Sequence, residues 1–143
     1  MVDDDLARIA SSLTHLKVLD IPCTLVTDSG LQHLFMFECL KKLNVSECRD
    51  VSDAGLHHLP VHLEKLYMFN CNITDRGVLL LSKNLRDLHS VDVASTRVTD
   101  QGKWFLKLRK RFHISTNFFN QGFIAVQLQA VQLHLGSENG KGR

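Results

Sequence analysis

One phrase recurs four times along this chain. Val26-Thr27-Asp28-Ser29-Gly30-Leu31 returns as Val51-Ser52-Asp53-Ala54-Gly55-Leu56, as Ile73-Thr74-Asp75-Arg76-Gly77-Val78 and as Val98-Thr99-Asp100-Gln101-Gly102-Lys103. The glycines fall at 30, 55, 77 and 102, so the steps are 25, 22 and 25 residues. A unit of that length cannot bury its own apolar face and is stable only when stacked on similar units. A near-fixed period in this range therefore predicts a solenoid. Solenoids present extended surfaces more often than closed pockets, which points first to holding a partner.

A second pattern precedes each phrase. Its Leu-x-x-Leu-x-Leu frame is filled by Leu16, Leu19 and Ile21, by Leu40, Leu43 and Val45, by Leu63, Leu66 and Met68, and by Leu88, Val91 and Val93. The last two positions alternate with mostly polar residues and predict a short strand with one buried face. Three residues further on stand Thr24, Cys48, Cys71 and Thr96, small side chains able to serve backbone groups at a bend. The phrase itself starts a helix. Thr27, Ser52, Thr74 and Thr99 are N-cap residues, and the Asp after each complements the helix dipole. Val26 with Leu31, Val51 with Leu56 and Ile73 with Val78 match the hydrophobic staple, which Lys103 breaks in the fourth copy. Glycine is a poor first-turn helix former, so its recurrence points to neighbouring turns packed too closely for a side chain. Helices are predicted through Leu31 and Leu34, Leu56 and Leu59, Leu79 to Leu81, and Trp104 to Leu108.

The four leucine frames, Cys48 and Cys71, and the Val-Thr-Asp-x-Gly phrases resemble the leucine-rich repeat family. Within it they resemble the cysteine-containing subclass, as in F-box substrate receptors. The match runs from Leu13 to about Leu108, and Thr24 and Thr96 depart from it, standing where the pattern has cysteine or asparagine. The resemblance implies an α/β solenoid, a horseshoe segment of about four to five repeats with a concave parallel sheet and convex helices. It also implies protein recognition, often substrate capture for ubiquitin ligases.

The pattern is incomplete at both ends. Asp3, Asp5, Leu6 and Ile9 line up with Asp53, Gly55, Leu56 and Leu59, without a strand before them. Residues 1–12 are thus a partial repeat or an N-terminal cap helix. We read the chain as a piece of a longer protein, in which a domain such as an F-box would lie outside it. Residues 13–108 hold the repeats. Residues 109–136 form a degenerate last repeat and C-terminal cap, with Phe112 and Ile114 in a strand and Phe118 to Gly122 echoing the phrase. Phe123 to Leu135 fits strand and helix periods alike, and its length, the Asn120 start and the Gly136 stop favour a helix. Residues 137–143 are polar and glycine-rich, and disorder is expected there.

A net charge of +2 is too small to imply nucleic acid or an acidic substrate. The acidic start, Met1-Val2-Asp3-Asp4-Asp5, carries no secretory signal pattern, so a cytoplasmic or nuclear protein with four buried thiols is expected. No phosphate loop, nucleophile elbow or metal-ligand spacing is present, and the chain is read as non-enzymatic, with no cofactor and no metal. Lys103 to Arg111 is basic and aromatic. It reads either as an anionic-surface contact for nucleic acid or membrane, or as a solvated convex helix with Phe105 and Leu108 in the core; the second reading is preferred. The favoured surface is the concave one. Residues flanking the inward leucines point away from the core, and among them Tyr67 and Phe69 are large aromatics in a polar setting. Tyr67 and Phe69, rimmed by Lys42, Asn44, Lys65, Ser90 and Asp92, are the predicted contact for a protein partner.

Overall fold

The computed structural model describes residues 1–107 and two further strands, 113–117 and 123–126. Strands β1 (Val18–Asp20), β2 (Lys42–Asn44), β3 (Lys65–Tyr67), β4 (Ser90–Asp92) and β5 (His113–Asn117) pair side by side in chain order, all parallel. Strands β1 to β4 each contribute one inward residue at the same register, so Leu19, Leu43, Leu66 and Val91 form a continuous buried row. Ile21, Val45, Met68 and Val93 form the next row, and Leu40, Leu63 and Leu88 the one before it. Leu16, in the first repeat, is only partly buried. Phe37 is a core residue that the leucine frame does not predict.

The chain leaves β1, β2, β3 and β4 through one residue in the left-handed region, at Cys23, Glu47, Asn70 and Ser95 respectively. None is glycine. The cost of that conformation is offset by continued pairing, because the N–H groups of Cys23, Glu47 and Asn70 donate to Ser46, Phe69 and Ala94 carbonyls of the next repeat at 2.7–2.9 Å.

Opposite the sheet lie α1 (Asp3–Ser12), α2 (Asp28–Leu31) continuing as a 3-10 turn over Gln32–Met36, a lone 3-10 turn at Gly55–His58, α3 (Asp75–Asn84) and α4 (Asp100–Lys107). The predicted helix is α-helical throughout in the third repeat, and in the fourth as far as Lys107, with Leu108 outside the described residues. In the second, the shorter 22-residue step leaves few residues for a helix, and Pro60 forces Leu59 into extended backbone (φ −69°, ψ 138°). Packed helices stand farther apart than the ~4.8 Å between strands, which makes the sheet the inner, concave side. All three staples are buried as pairs.

The phrase does more than cap its own helix. The carboxylate of Asp28 accepts the Ser52 N–H of the next repeat at 2.8 Å and also the Ser52 hydroxyl. Asp3 does the same for Thr27, Asp53 for Thr74 and Asp75 for Thr99, with N–H distances of 2.8–2.9 Å. The oxygens of Thr27, Ser52 and Thr74 in turn accept the N–H two residues on. Each carboxylate packs against the glycine of that next repeat. A Cβ at Gly30, Gly55, Gly77 or Gly102 would overlap the carboxylate of Asp3, Asp28, Asp53 or Asp75 respectively. The close approach inferred from the recurring glycine is thus an approach to the preceding aspartate.

Past β5 the chain departs from expectation. Phe123–Val126 is strand β6, antiparallel to β5 from Asn117↔Phe123 to Ile114↔Val126, where a helix was favoured. Pairing covers the edge that β5 would otherwise expose, and Phe, Ile and Val suit a strand. The rest of the expected helix (127–135), the phrase echo at 118–122, Phe112 and the tail 137–143 lie outside the described residues.

Glycine to alanine in a helix ordinarily gains about 1 kcal/mol. Gly77→Ala is expected to destabilise instead, because its Cβ overlaps the Asp53 carboxylate and comes within 2.9 Å of Leu56 Cδ1. Asp53→Ala should cost about 1–3 kcal/mol through the lost charged hydrogen bonds. Urea denaturation of both singles and the double should show the double costing less than the sum. Additive costs would separate the glycine from the aspartate.

Candidate functional site

The outward face of the sheet is organised in rows by the strand register. The first row holds Val18, Lys42, Lys65 and Ser90, and the second holds Asp20, Asn44, Tyr67 and Asp92. Pro22, Ser46, Phe69 and Ala94 follow at the strand exits. Tyr67 and Phe69 flank Met68, which is fully buried, so both aromatics turn outward from a locked backbone and are half-buried. The predicted residues are therefore brought together. Lys42 places its Nζ over the Tyr67 ring, 5.3 Å from the centroid, a cation–π contact across neighbouring repeats. Asn44 and Asp92 are the register partners of Tyr67 on either side, and Lys65 and Ser90 lie one row away.

The rim is held in place by hydrogen bonds. Asn44 Nδ2 donates to Asp20 Oδ1 at 2.8 Å, and Asn44 Oδ1 accepts the Ser46 N–H at 3.0 Å. Asp92 Oδ1 accepts the Ala94 N–H at 2.9 Å. Burial nonetheless pushes the Asp92 carboxyl above its ordinary value, with that N–H opposing the shift.

The cysteines divide into two kinds. Cys48 and Cys71 are buried at the strand exit, and their Sγ atoms reach back to the preceding repeat, to Ile21 O at 3.5 Å and Val45 O at 3.1 Å. Thr24 and Thr96, at the same position, bond instead to carbonyls of their own repeats, Ile21 and Val93. Burial first, and then the neighbouring Cys48, pushes the Cys71 thiol up to about 12, so it stays protonated and unreactive. The expectation of four buried thiols fails at the other two. Cys23 is exposed at the left-handed turn, and Cys39 is half-buried on the loop before β2. No disulfide joins the cysteines, and among the described residues no group of three His, Cys, Asp or Glu could hold a metal ion.

Of the basic segment, residues 103–107 are described, and there the leading cation is less available than the sequence suggests. Lys103 is largely covered, with Nζ 3.4 Å from Asp100. Leu106 is the buried residue of α4 and Phe105 is partly buried, while Leu108 to Arg111 lie outside the described residues. No helix among the described residues is long and apolar enough to cross a membrane. Sequence reasoning missed a concavity of about 510 Å³ on the helical side, where Phe35, His57, His58 and Val61 meet. It opens beside the short 3-10 turn of the second repeat. The 22-residue step and Pro60 were its signals in the sequence.

Two outcomes follow. Alkylation of the native protein should label Cys23 and Cys39 and spare Cys48 and Cys71 until denaturant is added, as peptide mass spectrometry would report; native labelling of Cys71 would contradict its burial. Asp92→Asn keeps an acceptor for the Ala94 N–H and removes a charge that burial disfavours. The folded-state pKa of Asp92 is raised, so its ionisation opposes folding at neutral pH, and that penalty disappears as pH falls through the raised pKa. Asp92→Asn should therefore melt no lower than wild type at pH 7, and any advantage should shrink in acid.

The family model described as Leucine Rich repeat matches residues 38–57 and 60–82, the second and third of the repeats whose stacking is described above. Leu40, Leu43 and Val45 lie in the first segment and Leu63, Leu66 and Met68 in the second, so the match falls on the residues that build the buried rows. With a parallel sheet on one side and helical turns on the other, residues 38–57 and 60–82 are leucine-rich repeats, and the fold is that of a leucine-rich repeat solenoid segment.

Proposed function

We propose that this chain is a non-enzymatic protein-interaction module that holds a protein partner on the concave sheet, centred on Tyr67 and Phe69. The observation that carries this reading is the pair itself: two half-buried aromatics on one face of β3 and its exit, in a field of small and polar side chains. Aromatic anchors ringed by polar groups are the usual source of interface affinity. The rim residues Lys42, Asn44, Lys65, Ser90 and Asp92 supply orientation. Leucine-rich repeats commonly serve protein–protein contacts, which supports the same choice.

A narrower reading is a substrate-recognition segment of an F-box-type ubiquitin ligase. It is favoured by Cys48 and Cys71, whose thiols bond across repeats at the position that defines the cysteine-containing subclass. An anionic-surface role for the 103–111 segment ranks below both, given the covered Lys103. A cytoplasmic or nuclear location fits the reduced cysteines.

Captured partners compared among wild type, Tyr67→Ala/Phe69→Ala and Lys107→Ala/Arg109→Ala would separate the two faces. Loss of one hot-spot aromatic costs ~2 kcal/mol or more, about a 30-fold drop in affinity. The aromatic double variant should lose capture while the basic one retains it, with thermal melts confirming that both are folded. Capture that survives the aromatic change and fails with the basic one would move the site to the 103–111 segment.

A further inference from the structure

The concave face has a charge pattern that bears on its partner. Lys42 and Lys65 are direct register neighbours, so two ammonium groups rise from adjacent strands in the same row. Like charges opposite each other on one sheet face are unfavourable. A carboxylate ordinarily relieves such a pair. Here the nearby acids are committed elsewhere: Glu64 pairs with Lys41 at 3.0 Å, Asp20 takes the Asn44 amide and Asp92 takes the Ala94 N–H. Among the described residues neither Lys42 nor Lys65 has a carboxylate partner within 4.0 Å, and Lys65 is exposed. Lys42 leans on the Tyr67 ring instead.

Lys65, Tyr67 and Phe69 follow one another at alternate positions along a single strand and its exit, so the cationic and aromatic features form one column. At about 3.3 Å per residue, the backbone of the lysine row stands roughly 7 Å from that of Tyr67 and roughly 13 Å from that of Phe69. Resting on the concave-face reading above, we propose that the partner presents an extended acidic peptide segment, with an Asp or Glu between Lys42 and Lys65 and a bulky apolar side chain about two to four residues away, on Tyr67 and Phe69. The carboxylate relieves the repulsion between the two lysines, and the apolar residue covers the aromatics. Asp20 and Asp92, on either side of the column, disfavour a second acid in place of the apolar residue. A uniformly acidic tract is thereby disfavoured, as is a purely apolar one.

The test is selection of a random-peptide phage library on the immobilised full chain, followed by fluorescence anisotropy with the enriched peptides as labelled synthetic probes. Enrichment of Asp or Glu about two to four residues from Leu, Ile, Phe or Trp is expected. Lys65→Glu, a change at an exposed position, should weaken those peptides about tenfold or more. Replacing the peptide's acid by Lys should weaken binding to wild type and restore it to Lys65→Glu. The proposal is overturned if nothing enriches, if the enriched peptides lack an acid, if basic peptides win, or if Lys65→Glu leaves affinity unchanged. Peptides without an acid that are lost with Tyr67→Ala/Phe69→Ala overturn this inference and leave the concave site standing. Peptides indifferent to both variants overturn the two together.

Discussion

The bond between each first-turn aspartate and the N-cap of the next repeat sets the spacing on which the rest of this solenoid depends. One carboxylate holds a backbone N–H and a hydroxyl of the following unit, and the glycine of that unit makes room for it. The bond spans 24 residues at Asp3, Asp28 and Asp75 but 21 at Asp53, and its N–H distance barely changes, from 2.8 to 2.9 Å. Repeat length is therefore free to vary while the junction is not. The three missing residues come out of the helical side, where a four-residue 3-10 turn replaces the ten-residue α3 of the next repeat.

Because the junction absorbs no variation, the strands stay in register. Val18, Lys42, Lys65 and Ser90 fall in one row, and Asp20, Asn44, Tyr67 and Asp92 in the next, without slippage. A binding surface on a sheet needs that alignment, since a one-residue slip would turn Tyr67 and Phe69 into the core. The variation appears on the opposite side, as the concavity beside Phe35 and Val61. One face thus serves as a fixed grid, and the other takes up the irregularity of the repeats.

Much of this was legible in the residues. The leucine frame identified the buried rows and hence, by alternation, the outward set around Tyr67. Phrase recurrence identified the caps and the crowded glycines. What was not legible depends on distance in space. The aspartate was expected to serve its own helix dipole, and only stacking brings it to the next cap. All four cysteines were expected to be buried, yet only Cys48 and Cys71, which hold the repeat position, are, while Cys23 and Cys39 sit on turns. Lengths of the convex helices failed for a local reason, Pro60 acting on Leu59, combined with a global one, the short step. Phe123 to Val126 failed because its two periods tie and only the open edge of β5 decides between them.

The sheet separates the residues that build the fold from those of the proposed contact, and at Asp92 the two demands meet. Inward positions contribute burial, and the aspartate–cap bonds contribute alignment; neither constrains the outward rows. Outward residues can therefore change at little cost to the fold, which gives a solenoid its latitude in partners. An asparagine could hold the Ala94 N–H at position 92 as the aspartate does, without a charge that burial disfavours. The aspartate stands beside Tyr67 in the register, across the column from Asp20 and Asn44. In the proposed contact, its negative charge disfavours acidic groups over the aromatic row and leaves the lysine row to them. On the proposed reading of this face, the charge at position 92 serves discrimination among partners, at the expense of a carboxylate that burial disfavours.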